Sequence, residues 1–128
     1  MQPIQLFSLA SRQAEWLSLR QEVVAGNIAN ANTPKFIGKD LVPFNAVLDQ
    51  TQMQLARTNP AHISASTLSD DIEVRDAALN QEIGIQESGN NVSIASELSK
   101  TGEIKRQYDL NTSLVSSFHR MMLMTVKK

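Results

Sequence analysis

Cysteine is missing from this chain of 128 residues, which excludes a disulfide scaffold, thiol catalysis and cysteine-ligated metal. That absence is compatible with any redox compartment. Aromatic residues make up 5% and charged residues 20%, so large core side chains are in short supply for one domain's worth of chain. A self-sufficient globule is not expected. Excess charge of one sign is lacking too: the formal net charge is -1 and the isoelectric point is near 6.1. Such a balance leaves no basic face for nucleic acid or an anionic membrane. No apolar run is long enough to span a bilayer. The opening Met1-Gln2-Pro3-Ile4-Gln5-Leu6-Phe7 has neither the charged start nor the continuous apolar core of a secretory signal. If exported, the chain is expected to travel by another route, without a cleaved signal peptide.

Catalytic and ligand-binding chemistry is equally sparse. His62 and His119 stand far apart in unlike contexts, and each is better explained as a turn residue or a partly exposed helical residue than as a ligand. Asp70, Asp71, Glu73 and Asp76 invite a calcium reading. Their spacing lacks the glycine and terminal glutamate of an EF-hand loop, so a solvated acidic segment is expected. Met121, Met122 and Met124 at helical spacing read as core or interface. No phosphate loop, nucleophile elbow or metal spacing is present, so neither an enzyme nor a cofactor site is expected.

What the chain does have is helical periodicity at both ends. Phe7, Ala10, Ala14, Leu17, Gln21, Val24, Ile28 and Ala31 recur at spacings of three and four, a seam near the coiled-coil period. A second stripe of Leu9, Trp16 and Val23 lies about 100° round the same helix. Two stripes on one helix predict more than one packing partner, with Trp16 as an anchor between subunits. At the other end, Ser93 is placed to cap a helix whose first turn carries Glu97 and whose tail ends in Lys127 and Lys128, both suited to the helix dipole. Its seam runs Ile94, Leu98, Thr101, Ile104, Tyr108, Asn111, Val115, Phe118, Met122 and Thr125. A flanking stripe of Leu110, Leu114 and Met121 makes the apolar face wider than one antiparallel partner would cover, and the surplus is read as intersubunit surface.

These features predict a mainly α chain of long antiparallel N- and C-terminal helices with a coiled-coil-like core. Residues 1–34 form the first helix, 35–90 a middle segment and 91–128 the last helix. The middle segment is expected to hold a short helix near 43–57 with Pro43 in its first turn, ending before Asn59-Pro60. Beyond it, a polar stretch from Ser64 to Val74 predicts a mobile loop or a small β element.

The most specific signal closes the first helix. Asn27-Ile28-Ala29-Asn30-Ala31-Asn32-Thr33-Pro34 combines small residues, three asparagines and a proline that forbids continuation. An asparagine carries donors and an acceptor that can satisfy open helix-end carbonyls or bond across helices. Asn30 or Asn32 can serve as a left-handed cap, whereas Asn27 and Asn30 are expected to bond across helices within or between subunits.

That stretch, followed by Phe36 and Asp40, resembles the signature of bacterial flagellar rod and hook proteins. Within that family, the short length, Thr58-Asn59-Pro60-Ala61-His62-Ile63 and the run from Gly89 to Leu98 resemble most closely a subunit of the proximal rod. The resemblance spans nearly the whole chain and is weakest from Leu68 to Gln86. It implies an axial structural protein that leaves the cytoplasm unfolded through the flagellar export apparatus, self-associates helically in the periplasm and links the membrane ring to the drive shaft. It also implies contacts with the ring protein FliF, the junction protein FliE and the rod protein FlgC, no nucleic acid and no membrane insertion. The competing class is a coiled-coil export chaperone or adaptor.

Three positions depart from the family pattern. The family commonly reads glycine and tyrosine where Lys35 and Phe36 stand, and often aspartate where Ser93 stands. A lysine tolerates positive φ less well than glycine, so a different turn or ring packing is expected after Pro34. Leu9, Trp16, Val23, Asn27, Asn30, Asn32, Pro34, Leu110, Leu114 and Met121 are therefore the candidate assembly residues. Folding of the terminal helices is expected to be coupled to assembly.

Overall fold

The computed structural model describes residues 3–51, 72–77 and 87–126. Two long helices dominate: α1 spans Pro3–Ala29 and the last helix spans Ile94–Val126. Between them come β1 at Lys39–Leu41, the short helix α2 at Phe44–Thr51 and β2 at Val74–Asp76. The last helix is therefore α3. At 1.5 Å rise per residue, the two long helices are on the order of 40 and 50 Å long.

The helices form where the seams were read, and they run antiparallel. Asn111 meets Ala10 near one end and Glu97 meets Asn27 near the other, so numbers rise on one helix as they fall on its partner. On α1, Ala10, Leu17 and Val24 are buried, and Ala31 continues the same spacing of seven beyond the helix. On α3 only Glu97, Ile104 and Asn111 are buried, again at a spacing of seven. This differs from the expected seam: Ile94, Leu98 and Tyr108 are about half exposed or more. One helix touches α3 along a narrow line, and a single buried position per heptad is all such a contact provides.

The core gathers at one end of the pair. Trp16, Leu17 and Val24 of α1 cluster with Leu41, Val42, Val47, Ile72 and Ile104. Leu17, Val24 and Val47 are fully buried, each contributing about 1.5–3 kcal/mol by leaving water. Trp16 donates its indole N–H to the Val42 carbonyl at 3.0 Å, meets the Phe44 ring at 5.9 Å and carries the Arg20 guanidinium 5.3 Å from its ring centre. The Trp16 expected on an intersubunit stripe thus sits in the chain's own core, because β1 and α2 fold back over that side of α1.

The middle segment contains the expected small β element. β1 and β2 pair antiparallel, with Asp40 opposite Arg75, and Val42 and Ala77 extend the ladder through backbone bonds to Glu73 and Gly38. α2 begins at Phe44, one residue later than read. Pro43 stands just before it, and its carbonyl accepts from Ala46 and Val47, so the proline caps the helix rather than joining its first turn. The predicted run of that helix to residue 57, including Leu55, lies outside the described residues. So do the stretch Thr58 to Ile63 with His62, the acids Asp70 and Asp71, and the tail Lys127 and Lys128.

Burial along α3 is uneven, which predicts uneven stability. Hydrogen exchange on the full chain should protect amides of residues 97–108 more than those of 114–126 by at least about tenfold. Uniform protection along α3 would contradict the burial pattern.

Candidate assembly site

The end of α1 is closed by side chains from the segment that leads into α3. Asn90 is fully buried. Its amide nitrogen donates to the carbonyls of Asn30, Ala31 and Thr33 at 2.9, 2.9 and 2.8 Å, and its oxygen accepts from the Val92 N–H at 2.7 Å. Two N–H bonds thus serve three carbonyls, one of them shared. The three carbonyls belong to the turn that follows α1, and two of them have a second partner: that of Asn30 accepts from Thr33 N–H at 3.0 Å and that of Thr33 from Phe36 N–H at 3.3 Å. Neighbouring bonds reinforce the closure: Lys35 N–H to the Ser88 carbonyl at 3.0 Å, and Gly38 N–H to the Asn91 side-chain oxygen at 2.7 Å.

Asn27 performs the second closure. Its amide pairs with the Lys39 backbone in both directions, donating at 2.7 Å and accepting at 2.9 Å, and its other N–H reaches Glu97 Oε2 at 3.0 Å. One buried side chain therefore joins α1, β1 and α3, with both of its N–H donors used and its oxygen accepting. Of the other asparagines, Asn30 donates to the Gly26 carbonyl at 2.8 Å in its own helix turn, and Asn32 and Pro34 are exposed.

The turn after Pro34 keeps a positive φ despite its lysine: Lys35 has φ 59. Gly89, with φ 77, lies against it, and a Cβ there would approach the Lys35 backbone at 3.7 Å. Phe36 is half-buried beside α1. Ser93 precedes α3, where its hydroxyl oxygen accepts a long 3.4 Å bond from Ser96 N–H and its carbonyl accepts from Glu97 N–H at 3.0 Å.

A charged cluster runs alongside. Lys100 Nζ lies 2.9 Å from Glu97 Oε1 and 3.3 Å from Asp40 Oδ2, and Arg20 Nε lies 3.4 Å from Asp40 Oδ1. Burial alone would raise the Asp40 pKa, but the Leu41 N–H, Lys100 and Arg20 outweigh it and hold the carboxyl below 3.8. For Lys100, burial works downward and is outweighed by Glu97 and Asp40, so its pKa rises above 10.5. Opposite charges favour each charged form more than partial desolvation penalises it.

At the other end of the pair the surface changes character. Asn111 is buried and donates to the Ala10 carbonyl at 2.8 Å, the last buried polar tie among the described residues. Beyond it, Leu110, Leu114, Met121 and Met124 are 70, 52, 49 and 64% exposed. Between Leu110 and Val126 the only formally charged residue is Arg120, and the first eleven residues of the chain carry no charged side chain. Leu9 and Val23 are half-buried. Hence the structure separates the candidate residues into three groups: Trp16 and Asn27 inside the fold, Leu9, Val23 and Asn30 partly covered, and Asn32, Pro34, Leu110, Leu114 and Met121 exposed. Glu97, Asn90, Asn91 and Asn111 were not singled out by the sequence as tie points. The spacing of seven from Glu97 through Ile104 to Asn111 was the signal for two of them.

Among the described residues no group of three or more His, Cys, Asp or Glu could hold a metal ion, and no helix is long and apolar enough to cross a membrane. His119 is exposed, and Glu73 pairs with Arg75 at 2.7 Å. The described structure is that of a helical-hairpin protein with a firmly tied end and an outward apolar stripe, the class of chain whose work is packing.

Comparison with known proteins makes the assignment specific. The family described as "Flagella basal body rod protein" matches residues 16–36, from the buried tryptophan through the closed helix end. The chain is similar to the flagellar basal body rod protein FlgB of Agrobacterium fabrum, 72% identical over 130 residues, covering 100% of this chain and 97% of the relative. It is also 29% identical to FlgB of Borrelia hermsii over 127 residues, covering 93% of each. FlgB of Bacillus subtilis is 26% identical over 92 residues, covering 70% of this chain and 68% of the relative. The chain belongs to the FlgB family of flagellar basal body rod proteins, a family of structural proteins of the bacterial flagellum.

Two predictions follow from the ties. Asn90→Ala takes the partner from the buried Ala31 carbonyl and removes a second bond from those of Asn30 and Thr33, and should destabilise the full chain by about 2–3 kcal/mol in urea unfolding, with Asn27→Ala costing a similar amount. Asn90→Asp, which keeps the acceptor and removes the donors, should be as damaging as Asn90→Ala; a near-neutral aspartate would mean that the donors carry little. For the charged cluster, a lowered carboxyl pKa stabilises above 3.8 and is lost as pH falls through the folded value. A raised lysine pKa stabilises below 10.5 and is lost as pH rises past the folded value. The difference in Tm between wild type and Asp40→Asn should therefore be largest between about pH 5 and 9 and shrink toward both extremes.

Proposed function

We propose that this chain is a subunit of the proximal rod, polymerising through its terminal helices to link the membrane ring to the drive shaft. The observation that carries this reading is the outward stripe Leu110, Leu114, Met121 and Met124 on an end of the helix pair almost free of charge. Exposed apolar area of that kind, depleted in charge, is what the centre of a protein interface looks like. On this reading the segments 1–34 and 91–128 form the assembly core and the segment 35–90 decorates it. Export proceeds through the flagellar export apparatus without a cleaved signal peptide, and the subunit is placed in the periplasm. Its neighbours are other copies of itself, the ring protein FliF, the junction protein FliE and the rod protein FlgC. Catalysis plays no part.

The chaperone or adaptor alternative is disfavoured by the likeness to FlgB of Agrobacterium fabrum, a flagellar basal body rod protein 72% identical over the whole of this chain. Copurification of the chain with basal bodies, rather than recovery from the soluble cytoplasm, separates the two. Leu110→Glu with Leu114→Glu provides the residue-level test. Both side chains are largely exposed, so the stability of the isolated chain should change by no more than about 0.5 kcal/mol per site. Rod assembly and motility should nevertheless be lost in a strain carrying only the double variant. Unaltered motility would overturn the reading.

A further inference from the structure

Two apolar surfaces remain on the described residues, and they differ in shape and in place. One is concave: a cavity of about 430 Å3 between α1 and the sheet, floored by Leu41 and Ile72 and walled by Leu19, Val23, Phe36 and Val74. It lies at the tied end of the pair. The other is the convex stripe on α3 at the opposite end, where Leu110, Leu114 and Met121 fall within about 40° of one another round the helix.

The rims match in charge. Glu22 and Lys39 line the groove. Asp109 and Arg120 flank the stripe on one side, about three turns apart along α3. Among the described residues none of the four takes part in an ion pair. Each surface thus offers one acid and one base beside apolar side chains, which is the arrangement that fixes register and partner choice at an interface.

We infer that the α3 stripe of one copy seats in the groove of a second copy, with Arg120 of the first beside Glu22 of the second. This rests on the proposed self-association and specifies its geometry. Because the two surfaces are different patches of the same chain, the contact is heterologous and leaves a free stripe and a free groove at the ends of every chain of copies. Such a contact propagates into an open polymer unless its rotation closes a ring. A contact of stripe on stripe would be isologous, stop at two copies and leave the groove open. The tie of Asn111 to Ala10 places Leu114 level with Phe7 on α1, so seating it at Val23 shifts the second copy along the helix axis by on the order of 25 Å.

The chain has no cysteine, so Val23→Cys and Leu114→Cys each carry a single thiol, and circular dichroism on each full-length variant checks that helicity is kept. Under mild oxidation at assembling concentration, mixing the two should give a mixed disulfide at least about tenfold in excess of either self-pair, and Glu22→Arg or Arg120→Glu should each lower that yield about tenfold. Joining both charge reversals in one chain should restore it. Dominant self-pairing of Leu114→Cys without the mixed species would overturn the head-to-tail seat while leaving self-association through α3 intact. Failure of the double reversal to restore the yield would overturn the Arg120–Glu22 pairing. A chain that stays monomeric and unlinked at every concentration would overturn the seat and the self-association together.

Discussion

The closure of the C-terminal end of α1 is the constraint on which the rest of the described structure depends. A helix end leaves carbonyls without partners, and burying them unpaired would cost about 1–3 kcal/mol each. Here Asn90, from a segment some sixty residues away in sequence, gives the buried Ala31 carbonyl its partner and adds a bond to those of Asn30 and Thr33 in the turn after α1. Once Asn90 is seated, Val92 and Ser93 follow within a few ångströms, so the start of α3 is placed beside the end of α1. Asn27 then sets β1 by pairing with the Lys39 backbone, and β1 carries Asp40 into reach of both Arg20 and Lys100. Strand, second helix and ion cluster all inherit their positions from two amides.

The consequence is a molecule with two unlike ends. Near the closure, hydrogen bonds, the Trp16 cluster and the charges all act on the same few turns. Past Asn111 there are no further buried polar ties among the described residues, and the large side chains of α3 turn outward. A chain whose aromatics are 5% of its residues has little with which to cover two long helices, and among the described residues the covering side chains gather at one end. This division suits the assembly proposed above: the tied end gives the chain a defined shape, and the open end leaves apolar surface exposed.

Much of this was legible in the sequence, and what was hidden has a physical reason. The alternation of threes and fours from Phe7 to Ala31 revealed α1 because helical periodicity is local, although the helix ends at Ala29, five residues before the Pro34 read as its stop. The stripe Leu110, Leu114 and Met121 was visible as a surplus over one partner's width, and those side chains do face outward. Trp16 was misplaced because its position depends on β1 and α2 folding back over α1, a contact across 26 residues that no periodicity reports. Glu97 was read as a charge suited to the helix dipole, yet it is buried at 5% exposure. A hydrophobicity pattern passes over a glutamate whose burial is made tolerable by Asn27 and Lys100. Lys35 shows the converse: the residue departs from the family pattern, but the positive φ is retained because Ser88 and Gly89 hold the turn from outside.

The polar residues in the α1–α3 seam have a purpose that stability alone does not explain. Replacing buried polar pairs by apolar ones is often neutral or stabilising, so Glu97 and Asn111 at the positions flanking Ile104 are not needed to hold the helices together. They do discriminate between registers. Sliding α3 by one heptad would bring Ile104 level with Asn27, leave an Asn27 N–H without Glu97, and move Asn111 away from the Ala10 carbonyl. Each orphaned group costs about 1–3 kcal/mol, which disfavours the slipped pairing by several kcal/mol even though the apolar contacts could re-form. A subunit that exposes an apolar stripe for its neighbours needs that protection more than an ordinary globule does. Without it, the stripe on α3 could compete for its own α1, and the surface offered to the next copy would vary from chain to chain. Buried polar ties at a spacing of seven make the internal pairing single-valued, which keeps the outward face of α3 the same in every copy, as the proposed assembly requires.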